Sequence, residues 1–277
     1  MIEIVIDTLV DGIKILPFLW LAFFLIELLE HKYSKKTIKL IEKSGKFGPL
    51  LGGVLGCFPQ CGFSVMATNL YVTRVITMGT LISVYLSTSD EMLPVLLSHG
   101  AKIQDVVIIL GVKVMIAIVS GFVIDGFIHR RVKIKVHELC EEAECHCEKG
   151  PVLASLKHTI HTLLFIMLVS FGLNLVMEYG GSEFLMGLVG NHSFLTPFVA
   201  SLVGLIPNCA ASVILTELYL QGILSFASVI AGLLTGSGVA LLVLFKTNKN
   251  SKENIKILLL VYFIGVISGL LLELLGL

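Results

Sequence analysis

Apolar residues run almost unbroken from Ile15 to Leu29, from Val106 to Ile124 and from Ile255 to Leu275. Strands that face two environments alternate polar and apolar residues, and these runs do not, so the pattern predicts long helices. A first spanning helix is expected over 8–29 and a related one over 157–177. Last helices are expected over 104–128 and 254–275. Between them lie four apolar core segments, 49–72, 75–98, 197–220 and 223–246. Each is interrupted near its middle by a polar cluster: P-Q-C-G, S-T-S-D-E, P-N-C-A and T-G-S-G respectively.

Composition decides which solvent these helices meet. Hydrophobic residues make up 56% of the 277 positions and charged residues 14%, against about 25% charged in ordinary soluble domains. Mean hydropathy is +0.94. The chain is therefore an all-α polytopic membrane protein, because hydrocarbon leaves backbone groups no water to bond and admits only helices or closed barrels. The lipid bilayer is its first partner. A net charge of zero gives no electrostatic case for nucleic acid. The acidic start M-I-E-I-V-I-D lacks the basic region of a cleavable leader, so the first helix is expected to act as the targeting signal.

The chain also matches itself at an offset of 148. Pro49 aligns with Pro197, Gly56 with Gly204, P-Q-C-G-F-S (59–64) with P-N-C-A-A-S (207–212), Thr68 with Thr216, Tyr71 with Tyr219, Ser89 with Ser237 and Gly121 with Gly269. This predicts two repeats, 1–128 and 157–277, joined by a linker, 129–156. The loop 30–47 holds six lysines and its partner 178–193 none; the loop 246–256 holds four and its partner 98–108 one. With lysine-rich loops inside, the two repeats take opposite orientations, both termini lie outside, the linker is cytoplasmic and each core crosses an odd number of times. The expected fold is two inverted-topology repeats with discontinuous helices.

Transporters of that design put the substrate where interrupted helices face a cavity near the midplane. Pro59 and Pro207 cannot continue a helix, and Gly62, Gly236 and Gly238 permit sharp turns. Cys61 and Ser64 then open a half-helix whose free N–H groups favour a thiolate, and Gln60 adds an amide. Asn208, Cys209 and Ser212 enter from the other repeat. S-T-S-D-E contributes Ser89, Asp90 and Glu91, and carboxylates at membrane depth are expensive enough to be functional candidates. Its repeat partner offers Ser237 without an acid. The plainer alternatives are a buried Cys57 packed as a small hydrophobe and Asp90 or Glu91 at an interfacial helix end. In the linker, His137, Cys140, Cys145, His146 and Cys147 combine imidazole and thiolate suited to divalent transition metals; the alternative is a solvated acidic loop.

C-F-P-Q-C-G-F-S (57–64), S-T-S-D-E-M-L-P (87–94), I-P-N-C-A-A-S (206–212) and T-G-S-G (235–238) resemble the ten-helix heavy-metal exporter family, similar to ArsP-type arsenic-efflux permeases, whose members also carry a manganese-transporter label. The resemblance implies about 10 transmembrane segments, five per half, and export of a metal or metalloid across a bacterial-type inner membrane. No nucleotide-binding motif appears, so the expectation is a secondary exporter and no enzyme. Proton antiport is its expected energy source, and the transported ion, with no cofactor, its ligand. Thiolates suit arsenite, zinc or cadmium and oxygens suit manganese; the family label tilts the reading towards Mn(II). A small-anion permease is the main alternative, followed by a thiol–disulfide oxidoreductase using Cys57 and Cys61. Oligomeric state stays open.

Overall fold

In the computed structural model the described residues are 6, 9, 10, 12, 13, 15–17, 19–21, 24, 47–58, 61–89, 92–127, 151–176 and 195–276. Within these, the side chains of Cys61, Cys209 and several positions of 151–176 are not described. No strand occurs among the described residues. Helices α1 (Gly48–Gly56), α2 (Cys61–Val72), α3 (Met78–Ser87), α4 (Met92–Ser98) and α5 (Ile103–Phe127) are followed by α6 (Pro151–Val176). Then come α7 (Thr196–Gly204), α8 (Cys209–Leu220), α9 (Phe226–Thr235), α10 (Ala240–Thr247) and α11 (Ser251–Leu274). Adding 148 to the bounds of α1, α2 and α3 gives those of α7, α8 and α9, and α10 and α11 start 148 residues after α4 and α5. Helix α6 begins at Pro151, six residues before the expected 157. Proline suits a first helical position, where its missing N–H costs nothing.

Helix direction follows from close approaches. Ideal Cβ atoms on Gly48, Gly52 and Gly56 would meet Thr80, then Thr80 and Val84, then Val84 and Ser87. Helix α1 therefore runs parallel to α3. Helix α2 reaches α3 through the short turn 73–77 and so runs antiparallel to both. The first core segment is a hairpin, which spacing alone did not distinguish from a helix that continues past its polar cluster. The second half behaves alike: α7 lies along α9, with Thr235 Oγ1 donating to the Ser201 carbonyl at 2.7 Å, and α8 returns to α9 through 221–225. Residue 74 and its partner 222 both take positive φ in those turns, at Arg74 (61°) and Gly222 (74°).

The ends of these helices are capped from within the fold. Thr77 accepts from the Thr80 N–H at 3.1 Å. Asp125 of α5 accepts from Thr77 Oγ1 at 2.6 Å and from the Gly79 N–H at 2.8 Å. At the related position Ser225 accepts from the Ser228 N–H at 3.1 Å. Helices α5 and α11 are long and apolar enough to cross a membrane, yet only 28% and 33% of their spanning windows are buried by protein. Over α9 and α10, Phe226–Thr247, the share is 83%. The former face lipid and the latter form the core.

Backbone contact replaces side-chain packing where hairpin meets spanning helix. A Cβ on Gly204 would stand 2.0 Å from the Gly232 carbonyl oxygen, whereas one on Gly111 would meet nothing within 4 Å. Gly204→Ala is therefore expected to destabilise by about 1–3 kcal/mol through overpacking, and Gly111→Ala to be nearly neutral. Thermal unfolding of both variants in the same detergent checks this; equal melting temperatures would contradict the close approach.

Candidate functional site

In each half the first arm of the hairpin ends beside the end of the core helix it lies along. Gly56 closes α1 against Ser87 at the end of α3, and Gly204 closes α7 against Gly232 and Thr235 at the end of α9. The halves then exchange partners, since α2 packs on α10 and α8 on α4. A buried chain of hydroxyls marks the first exchange. Thr68 Oγ1, itself donating to the Ser64 carbonyl at 2.8 Å, lies 2.6 Å from the Tyr85 hydroxyl, which lies 3.4 Å from the Ala240 carbonyl of α10. Helix α10 opens just after T-G-S-G, so α2 packs against the helix that follows that cluster.

Of the residues singled out from sequence, Ser64, Ser89 and Ser237 are fully buried, as is Gly62, and Asn208 is nearly so. Ser212, Pro207 and Gly236 are half-buried. Asn208 is the N-cap of α8, accepting from the Ala210 N–H at 3.2 Å; the sequence reading made it a ligand and did not foresee that structural duty. Ser89 Oγ donates to the Ser87 carbonyl at 3.0 Å. Ser237 Oγ, its partner in the other half, is buried with no hydrogen-bond partner. Gly238 takes φ 54°, in the left-handed region that favours glycine. Gly236 ends α9 with φ −72°. Pro59, Gln60, Asp90, Glu91 and the linker residues His137, Cys140, Cys145, His146 and Cys147 lie outside the described residues, as do the side chains of Cys61 and Cys209. Among the described residues no three His, Cys, Asp or Glu groups cluster as a metal site.

Sequence reasoning missed the most buried charge in the described structure. Lys113, in the middle of α5, is 1% exposed. Its Nζ donates to the Thr88 carbonyl at the end of α3. Cys57, half-buried after α1, lies within reach of its charge. Its signal in the sequence was plain: one lysine inside a 25-residue apolar helix, to which the same cost argument applies as to Asp90. Asn69 Nδ2 of α2 is also buried without a partner.

A second polar network ties the halves together at the far end of α2. Glu253, in the first turn of α11 and 6% exposed, accepts from Arg74 Nη1 at 2.8 Å and from Nη2 at 3.1 Å. The Tyr71 hydroxyl also donates to it. These hydrogen bonds hold the Arg74 guanidinium above its already high ordinary pKa. The positive φ of Arg74 costs about 1–3 kcal/mol for a residue with a Cβ, and the related position uses glycine. On the other side of the pseudo-symmetric arrangement, Asp105 of α5 lies within electrostatic reach of Tyr219, and position 222 supplies no cation.

Comparison with known proteins bears on this arrangement of hairpins, buried hydroxyls and one interior lysine. No curated protein and no solved structure matches the chain. The family model ArsP_2, described as “Putative, 10TM heavy-metal exporter”, matches residues 1–180 and 160–276. That is nearly the full length, so the chain belongs to this ten-transmembrane family of heavy-metal exporters.

Proposed function

We propose that the chain is a secondary exporter of a metal or metalloid ion, built from two inverted repeats that rock against each other around a site at the hairpin tips. One observation carries the reading: helix bounds recur at 148 residues, and the second hairpin arm of each half packs on a core helix of the other half, α2 on α10 and α8 on α4. Arms of 9 and 12 residues reach only about 14 and 18 Å at 1.5 Å per residue. A hydrocarbon core is about 30 Å thick. The arms therefore dip in and return, and each core crosses once, through α3–α4 or α9–α10. Ten segments result if hairpin arms are counted separately.

In this scheme the ion enters between Cys61, Cys209 and Asp90 or Glu91, with Gln60, Asn208, Ser64, Ser212, Ser89 and Ser237 completing its shell. The unpartnered Ser237 hydroxyl supports a ligand there, because a buried polar atom left unmade is costly. Protonation of the carboxylate and thiols releases the ion, which couples export to a proton gradient. Mn(II) is the favoured cargo, with arsenite, Zn(II) and Cd(II) as the other candidates. Cells expressing the wild type should accumulate less of one of these four than cells expressing Cys61→Ser/Cys209→Ser, by severalfold. If neither protein alters any of them, the exporter reading fails and a small-anion permease takes its place.

The Arg74–Tyr71–Glu253 network holds the lysine-rich, cytoplasmic face closed in this conformation. Bidentate guanidinium–carboxylate pairs are strong and geometrically selective, and removing one partner leaves a buried charge uncompensated. Arg74→Gln should raise labelling of Cys61 by an impermeant thiol reagent from the cytoplasmic side severalfold. The exchange Arg74→Glu/Glu253→Arg should restore protection. Unchanged labelling in the single variant would remove the network from the gate.

A further inference from the structure

The end of α3 is built to hold a cation. A helix C-terminus leaves carbonyls without intrahelical partners and carries the negative end of the dipole. Here that end lies inside the protein: Ser87, Thr88 and Ser89 are all at most 3% exposed. The hydroxyls of Ser87 and Thr88 both turn back to the Val84 carbonyl, and Lys113 Nζ sits on the Thr88 carbonyl. In the second half the corresponding helix ends at Gly236, the residue related to Lys113 is Val261, and Ser237 Oγ has no partner. Among the described residues, only one of these two otherwise matching helix ends carries its own positive charge.

Building on the exporter reading above, we propose that Lys113 is a resident cation: its ammonium occupies the α3 end when the carrier is empty, and the transported ion displaces it. The positions support this. Thr88 and Ser89 immediately precede Asp90 and Glu91 in the chain, and the Lys113 charge reaches Cys57 beside the hairpin tip. A buried ammonium and an incoming divalent cation repel strongly at short range in a low-dielectric interior, so both cannot hold the same carbonyl end. Lysine suits this role because its ammonium is a compact point charge on a flexible stem. It can swing away and return without rebuilding α5. The built-in competitor lowers affinity for the ion and hastens its release, which an exporter needs more than tight binding.

The test uses the full-length protein in lipid nanodiscs, with Mn(II), Zn(II) and Cd(II) as separate probes by equilibrium dialysis. For an ion that the wild type binds, Lys113→Met should bind at least tenfold more tightly and release it more slowly, while Lys113→Arg, which keeps the positive charge, stays within about threefold of the wild type. Unchanged affinity in Lys113→Met overturns the proposal. Weaker affinity also overturns it, and would mean that Lys113 holds the ion's ligands in place and does not compete with the ion. If Lys113→Met does not fold, the wild type answers alone. Modification of Lys113 by a small acid anhydride, read by mass spectrometry, should rise at least threefold at saturating ion relative to ion-free protein; equal modification overturns the proposal. A wild type that binds and moves none of the three ions removes the divalent-exporter reading itself, and the resident cation with it. That outcome is distinct from an ion-binding wild type with an indifferent Lys113→Met.

Discussion

Every backbone N–H and C=O placed in hydrocarbon must find a partner inside the protein, and that requirement governs this chain. Stopping a helix at mid-depth frees carbonyls and amides that lipid cannot bond. The fold meets the cost by bringing helix ends together, so that groups freed by one element face another. Gly56 and Gly204 permit the approach because they have no Cβ at the point of contact. The Thr88 carbonyl receives Lys113, Asn208 caps α8, and Tyr85 links α2, α3 and α10 in one chain of hydroxyls.

Much of this was readable from residue types and spacing. Long apolar runs located α5 and α11 to within a few residues, because nothing but a spanning helix accommodates them. The polar clusters located the ends of α1, α3, α7 and α9, because a proline such as Pro59 or Pro207 cannot continue a helix and Gly238 takes the left-handed φ that helices lack. What spacing could not give was direction. A helix interrupted in mid-membrane and a hairpin that turns back have the same one-dimensional signature. Only contacts such as Gly48 with Thr80 and Gly56 with Ser87 separate them. Tertiary partners were equally hidden: nothing local joins Arg74 to Glu253, which are 179 positions apart.

Lys113 was missed for a different reason. It lies in a run apolar enough to be counted as spanning at a glance, and its single charge does not disturb the periodicity. The structure turns it into a question of symmetry. Two halves that share helix bounds, caps and glycine contacts differ where charge is concerned: Lys113 faces Val261, Asp90 faces Gly238 and Arg74 faces Gly222 across the repeat. The scaffold is duplicated and the charges are not. Under the rocking mechanism proposed above such differences matter, since a ligand shifts an equilibrium only by its unequal affinity for the two states.

The central claim is that the two halves sit in the membrane upside down relative to each other. Single cysteines at Lys102 and Asn250, exposed positions related by 148 residues, put this to the most direct test. Each is introduced into a cysteine-free background and labelled with an impermeant thiol reagent in intact cells and in inverted vesicles. The account predicts labelling of Lys102→Cys only from outside and of Asn250→Cys only from the cytoplasmic side. Labelling of both from the same face would contradict it.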